Sequence, residues 1–164
     1  MTLTLTATAG SASANTFITL ADANSYHEAR VNNSDWTGAT DANKNAALVW
    51  ATRLLDDQPW YGQITATTQA LRWPRTGCYD REGNALASTT IPAFLENATA
   101  ELAMFLLAED RTAGAGALSY ETLSVGPVTL SRAKHQKFPP AVLDLIAYYF
   151  KASMSSFQVG VVRA

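Results

Sequence analysis

The chain reads TIPAFLENATAELAMFLLAED from Thr90 to Asp110, and this stretch decides the fold. Thr90 is a residue that can cap a helix, and Pro92 suits a first helical turn. Apolar residues then recur at the three- and four-residue spacing of one broad helix face. We therefore predict a helix that ends near Asp110 and lies at the centre of the core. Its apolar face is formed by Phe94, Leu95, Ala98, Leu102, Phe105 and Leu106.

Three further helices are predicted around this central one. The first begins at Thr19, with Asp22 near its positive end, and runs to about Val31, where 32–34 end it. The second spans about 41–56, since Ala47, Leu48, Ala51, Leu54 and Leu55 recur at helical spacing. The last begins at Pro139-Pro140-Ala141 and extends to about Ser153. His27, in the first helix, is expected at the surface.

The remaining segments lack helical periodicity. Turn-forming residues accumulate from 58 to 90, which predicts a long irregular insertion with a turn at 80–84. Short β-prone runs flank Gly126-Pro127 and predict a hairpin. We expect a mainly α fold: a bundle of about four helices with this insertion, a small β-hairpin and an extended C-terminal arm. The domain covers 16–154, a flexible segment covers 1–15, and the arm, 155–164, either pairs with this domain, pairs with another chain or frays.

Composition limits the classes of function. The 164 residues are 48% hydrophobic with a net charge of -2, so the chain as a whole lacks the positive charge of a dedicated nucleic-acid binder. We therefore expect no tight, salt-sensitive DNA binding. A single cysteine, Cys78, rules out an intrachain disulfide and a thiolate cluster. No apolar run has bilayer length, so we predict a soluble cytoplasmic protein without membrane association.

No residue pattern points to catalysis, a cofactor or a metal. The chain has no Gly-rich phosphate loop, no His-Glu-x-x-His and no Gly-x-Ser-x-Gly, and we predict that it is not an enzyme. The pairs Asp56-Asp57 and Glu109-Asp110 lack a neighbouring nucleophile or histidine, and Cys78 is interpreted as a packing residue. The basic residues around His135, namely Arg132, Lys134 and Lys137, either form a solvated loop or meet a phosphate or an acidic neighbour.

The segment QALRWPRTG, residues 69–77, predicts a rigid connector between two helices. Pro74 fixes its own backbone and biases Trp73 towards an extended conformation, so that Trp73 and its flanking arginines, Arg72 and Arg75, are held in a defined relation. Such a segment is suited to contact with a partner. The alternative is that Trp73 closes the domain's own core and the arginines bond nearby carbonyls or carboxylates. Both interpretations can hold together.

Four segments give the chain a resemblance to a known family. They are ANTFITLADANSY (14–26), ALVWATRLLD (47–56), QALRWPRTG (69–77) and Ile91-Pro92 at the start of the long helix. In this order they resemble the tailed-phage proteins labelled DnaT-like single-stranded-DNA-binding proteins, which are similar to head-tail connectors. The family has no established active-site motif.

The resemblance implies a structural adaptor in the neck of a bacteriophage virion, with host cytoplasm as its location before assembly. It implies a dodecameric homo-oligomeric ring that binds the portal protein and tail or neck proteins, while double-stranded DNA passes through without sequence-specific binding. Hairpin and arm are expected to reach neighbouring subunits or the portal. The expected interface residues are Arg72, Trp73, Arg75, Tyr120, Val125, Val128, Arg132, Lys134, Val159, Val161, Val162 and Arg163.

The alternative function is a binding module for single-stranded DNA. Aromatic rings would stack on unpaired bases and arginines would meet phosphates. The negative net charge and the lack of a repeated aromatic-basic groove argue against it, whereas a small hydrolase has no residue constellation at all. The residues available for this role are Trp60, Tyr61, Trp73, Tyr79, Arg72, Arg75 and Arg81.

Overall fold

The helix predicted from the opening stretch lies at the centre of the core. The computed structural model describes residues 3–109, 123–125, 128–130 and 138–150. In it the central helix, α4, spans Ala93–Ala108 and follows Pro92 directly, so Thr90 is not its cap. Leu95, Ala98 and Leu102 are fully buried, and the helix is buried on more sides than the predicted face because α3 and α5 pack against it.

The other helices confirm the mainly α fold. α1 spans Leu20–Glu28, α2 Ser34–Thr37, α3 Asp41–Asp56 and α5 Pro140–Ile146, which continues as one 3-10 turn, Ala147–Tyr149. The Thr19 hydroxyl caps α1 by accepting from the backbone N of Asp22 at 3.1 Å, as the sequence predicts. The predicted span of α3 is confirmed, and Thr40 caps it. The last helix was expected to extend to about Ser153, but this is wrong: the 3-10 turn ends at Tyr149, and Phe150 is extended because it forms a β-bridge with Trp60. Residues 151–153 lie outside the described residues.

Two expectations around α1 are wrong for one reason. α1 ends three residues before Val31, and α2 begins within 32–34, where we expected only the end of the first helix, because Trp36 of α2 is buried in the core. His27 is fully buried rather than exposed. Its Nε2 lies 3.0 Å from the carbonyl O of Ala100, and its ring lies 4.4 Å from the Trp36 ring. His27, near the C-terminus of α1, therefore packs in the core beside Trp36.

The insertion at 58–90 is irregular as predicted but contains a ladder that the sequence did not reveal. β1 (Gln63–Ile64) pairs antiparallel with β2 (Arg75–Thr76). A strand of two residues is too short to show the alternation of apolar and polar residues by which a strand is predicted from sequence. The predicted turn at 80–84 is present, with Gly83 at φ 87°.

The N-terminal segment, predicted as flexible, is hydrogen-bonded to itself and to the connector. The side-chain Oδ1 of Asn15 accepts from Thr6 N at 2.8 Å, and Thr6 O accepts from Asn15 N at 3.0 Å. The carbonyl of Ser11 accepts from Ala70 N at 3.0 Å. The two Thr6–Asn15 bonds close the segment on itself, and the Ser11–Ala70 bond joins it to 69–77.

The predicted hairpin is confirmed as two strands on either side of 126–127. β3 (Leu123–Val125) pairs antiparallel with β4 (Val128–Leu130), and Val125 stands opposite Val128 in the register. The C-terminal arm and seven expected interface residues lie outside the described residues: Tyr120, Arg132, Lys134, Val159, Val161, Val162 and Arg163. Within the described ranges, none of the helices combines the length and apolarity that crossing a bilayer requires.

Candidate nucleic-acid interface

Trp73, expected at an interface, lies inside the domain with 1% of its surface exposed. Its ring meets the Trp60 and Phe94 rings edge-on, with centroids 5.7 and 5.6 Å apart. The Trp73–Pro74 peptide bond is cis. Trp60 is also buried, so neither indole can stack on a base at the surface. The alternative that Trp73 closes the domain's own core is what the structure shows.

Arg75 is the second interface candidate that the structure places inside, with 7% of its surface exposed. Its guanidinium donates to the carbonyls of Tyr61 at 2.5 Å, Gly62 at 2.7 Å and Arg72 at 3.1 Å, and lies 3.5 Å from Trp60 O. Removal from water lowers the pKa of Arg75, while carbonyl oxygens stand in for the lost hydration. This side chain holds the backbone of 60–62 in place.

Of the three expected interface residues in segment 69–77, only Arg72 reaches the surface; Trp73 and Arg75 are buried. Its side chain is half exposed, and its Nη2 lies 3.8 Å from Oδ1 of Asp57. Its backbone N donates to Oδ1 of Asp56 at 2.6 Å, which ties the connector to the end of α3. Burial raises the pKa of Asp56, with the bond from Arg72 N acting in the opposite direction.

A tyrosine-lined groove of about 460 Å³ lies beside the connector. Its wall residues Tyr61, Tyr79 and Tyr148 are 44%, 56% and 48% exposed. Tyr149 is buried beneath them, stacked on Phe94 with centroids 3.7 Å apart and planes 3° from parallel. The backbone N of Tyr61 donates to the carbonyl of Tyr149 at 3.0 Å, which joins two walls of the groove. The aromatic surface therefore rests on a packed support.

Arg81 stands at the rim of this groove. Its Nη2 donates to the carbonyl of Asp144 at 2.8 Å, and its guanidinium carbon lies 5.9 Å from the centre of the Tyr148 ring. A second bond joins the same two parts of the chain: the hydroxyl of Tyr148 donates to the carbonyl of Asp80 at 3.0 Å. The turn that carries Tyr79 and Arg81 is thus fastened to α5 and its 3-10 extension.

The carboxylate of Asp80 shapes that turn from within. Its Oδ1 accepts from the backbone N of Glu82 at 3.0 Å and of Asn84 at 2.7 Å. The side-chain amide of Asn84 donates to Oδ2 at 3.0 Å, and the bonds from Asn84 are the main cause of the lowered pKa of Asp80. Glu82 adds a second negative charge near the groove, so the local surface is not strongly basic.

Cys78 lies under the groove as a packing residue, as predicted. It is buried, and its Sγ lies 3.2 Å from the carbonyl O of Tyr61. Burial raises the pKa of the thiol, which opposes nucleophilic reactivity. Gly62 faces it with φ 69°, and a Cβ there would come within 2.2 Å of the carbonyl O of Thr76, so only glycine fits.

The groove presents exposed aromatic rings, a surface suited to stacking. Exposed rings on a rigid support bind the faces of unpaired bases, and a guanidinium at the rim can meet a phosphate. Of the residues that the sequence singled out for this role, the structure brings together Tyr61, Tyr79 and Arg81. It adds Tyr148, which sequence reasoning missed. Across the described ranges, His, Cys, Asp and Glu side chains nowhere gather in threes as ligands for a metal ion.

The comparisons with known proteins identify the family. The model of the family described as "Putative DnaT-like ssDNA binding protein" matches residues 1–164. Neither the comparison with curated proteins nor the one with solved structures gave a match. The head-tail connector prediction is wrong, because the family that covers the chain is described by single-stranded DNA binding and not by a virion role. The oligomer, partner and localisation expectations that came with that prediction stay predictions. Since the match covers the whole chain, the protein belongs to the DnaT-like ssDNA binding protein family.

Proposed function

We propose that this protein binds single-stranded DNA, with the tyrosine-lined groove as its contact surface for unpaired bases. The observation that carries the proposal is the convergence of Tyr61, Tyr79 and Tyr148 around one groove with Arg81 at its rim. Aromatic platforms combined with basic side chains are how proteins bind single strands without reading sequence. The description of the family supports the same function.

The net charge of the chain argued against DNA binding, but the distribution of charge along the sequence supports it. Residues 1–109 contain six Lys or Arg and eleven Asp or Glu, whereas residues 110–164 contain six and three. The C-terminal third is therefore positive although the chain is negative overall. A net charge of -2 is therefore compatible with binding to a polyanion, because the positive charge is concentrated in one part of the sequence.

The composition of the groove also predicts what it prefers. The walls offer ring faces and phenol hydroxyls, which any base can meet, so we expect weak sequence preference. Bases in a duplex already stack on one another and present only their edges, so the groove should discriminate strongly against duplex DNA.

The experiment is a fluorescence anisotropy titration of the full chain against a labelled oligothymidylate, with a duplex of matched length and charge as control. We expect the single strand to bind more tightly than the duplex, and its affinity to fall as salt rises because phosphates are being neutralised. Equal affinity for the two, or no binding of the single strand at low salt, would contradict the proposal.

A further inference from the structure

We propose that the outward face of α3 is a second contact for the same DNA strand. The contact consists of Trp50 and Arg53 on α3 together with Arg72 of the connector, and we call it the α3 strip. This inference rests on the proposed function and adds to it a second, separately located stacking site.

Trp50 differs from the other tryptophans of the chain. The chain has four, and Trp36, Trp60 and Trp73 are buried, whereas Trp50 is 40% exposed. The buried face of α3 is completed without it by Ala47, Leu48, Ala51 and Leu55. A single exposed apolar residue is common on protein surfaces, so exposure alone would not indicate a site.

The cations beside Trp50 set it apart from an ordinary exposed residue. The guanidinium carbon of Arg53 lies 5.8 Å from the centre of the Trp50 ring. Asp57 follows Trp50 by seven residues, which places it within about 20° of Trp50 around the helix axis. Arg72 reaches that position, with Nη2 3.8 Å from Oδ1 of Asp57. One ring and two guanidinium groups thus line one side of α3, and the carboxylates of Asp56 and Asp57 lie beside Arg72.

The α3 strip is within reach of a strand held in the groove. Six residues of helix and five residues of extended chain separate Trp50 from Tyr61, so their Cα atoms lie at most about 30 Å apart. A direct chain of bonds also links the two places: Arg75 donates to the carbonyl of Arg72 and to the carbonyl of Tyr61. We therefore assign to the strip a base on Trp50 and phosphates on Arg53 and Arg72.

The position of the tryptophans provides a specific readout. Tryptophan emission of the full chain is recorded during titration with oligothymidylate, while anisotropy of the labelled oligonucleotide reports binding in parallel. We expect the strand to quench the emission, because Trp50 is the exposed tryptophan and a stacked base quenches it. Trp50→Ala should weaken binding about fivefold or more, whereas Trp50→Phe, which keeps a ring, should retain most of the affinity and lose the quenching.

The outcomes separate the two claims. If the oligonucleotide binds but emission is unchanged, or if Trp50→Ala binds as tightly as the wild type, the α3 strip is overturned while the proposed function stands. If emission changes with protein concentration alone, Trp50 lies at a contact between copies of this chain, which also overturns the inference. A wild type that binds no single strand overturns the proposed function and the strip with it.

Discussion

Two neighbouring regions of the insertion use the same residue types in opposite ways. Beneath segment 69–77, Trp60, Trp73 and Arg75 are buried, and the guanidinium of Arg75 donates to several backbone carbonyls. At the groove a few residues away, Tyr79 is exposed, and Arg81, which donates to one carbonyl, lies over the ring of Tyr148 at the surface. An aromatic beside an arginine is therefore not by itself a binding motif. What distinguishes a contact residue from a structural one is whether its ring face remains in water.

The comparison predicts that the connector interior governs stability. Trp73→Ala removes a buried ring between Trp60 and Phe94, and such truncations cost about 3–5 kcal/mol. We expect a loss of this size in the free energy of unfolding, measured by urea denaturation. Trp50→Ala is the matched control and should cost clearly less, about 1 kcal/mol, since Trp50 is 40% exposed. Equal losses from the two variants would break the distinction between the regions.

The two arginines that flank Trp73 offer a second test. Arg75→Met removes the buried guanidinium that donates to the carbonyls of Tyr61 and Gly62. Cys78 still donates to the Tyr61 carbonyl, so we expect a cost of about 1–3 kcal/mol that comes mainly from Gly62. Arg72→Met breaks a half-exposed ion pair with Asp57 and should cost less than about 1 kcal/mol. Thermal denaturation of both variants measures the difference, and a larger shift for Arg72→Met would refute the structural role of Arg75.

The groove should show the reverse behaviour. Tyr79→Ala removes an exposed ring, so stability should hardly change while affinity for oligothymidylate falls by about 1–3 kcal/mol. Tyr79→Phe keeps the ring face and should bind as the wild type does. Anisotropy titrations of the three proteins, with denaturation curves beside them, provide the measurement. A loss of affinity in Tyr79→Phe equal to that in Tyr79→Ala would assign binding to the hydroxyl instead of to stacking.

The smallest expected effect concerns His27, a polar residue of the core that should be uncharged at neutral pH and should affect stability only in acid. Burial lowers the pKa of His27 below its usual 6.5, and the folded state therefore takes up a proton less readily than the unfolded chain. The contribution of His27 to the free energy of unfolding is fully present above pH 6.5 and decreases as the pH drops below that value. Melting temperatures of the wild type and His27→Gln between pH 7 and 5 should diverge in slope. Parallel slopes would show that His27 titrates normally.

Helices were predictable from this sequence because their cause is local. The spacing of Ala47, Leu48, Ala51 and Leu55 reports a face that must be buried, and Thr40 reports where that helix begins. The α2 turn was missed because its cause is distant: Trp36 belongs to the core through its contact with His27. No spacing along the chain reports that contact.

The candidate site was predictable only in part. Tyr61, Tyr79 and Arg81 stand in the insertion, where a loss of periodicity marks a segment with a role of its own. Tyr148 was missed because it follows the apolar stripe of α5 and meets the insertion only in three dimensions, through its bond to Asp80. Trp73 is buried against Phe94, and Arg75 is buried against the carbonyls of 60–62. These partners are distant in the sequence, so the sequence does not indicate the contacts. The uneven charge was readable, but the net value of -2 concealed it.

Photo-crosslinking tests the central claim most directly. A single strand carrying iodouracil is irradiated in complex with the full chain, and the crosslinked residues are identified by mass spectrometry. We predict that Tyr79 or Tyr148 carries crosslinked nucleotide, and that excess unlabelled single strand, but not duplex, prevents the crosslinking when it is added before irradiation. Efficient crosslinking that leaves every groove tyrosine unmodified would contradict the account.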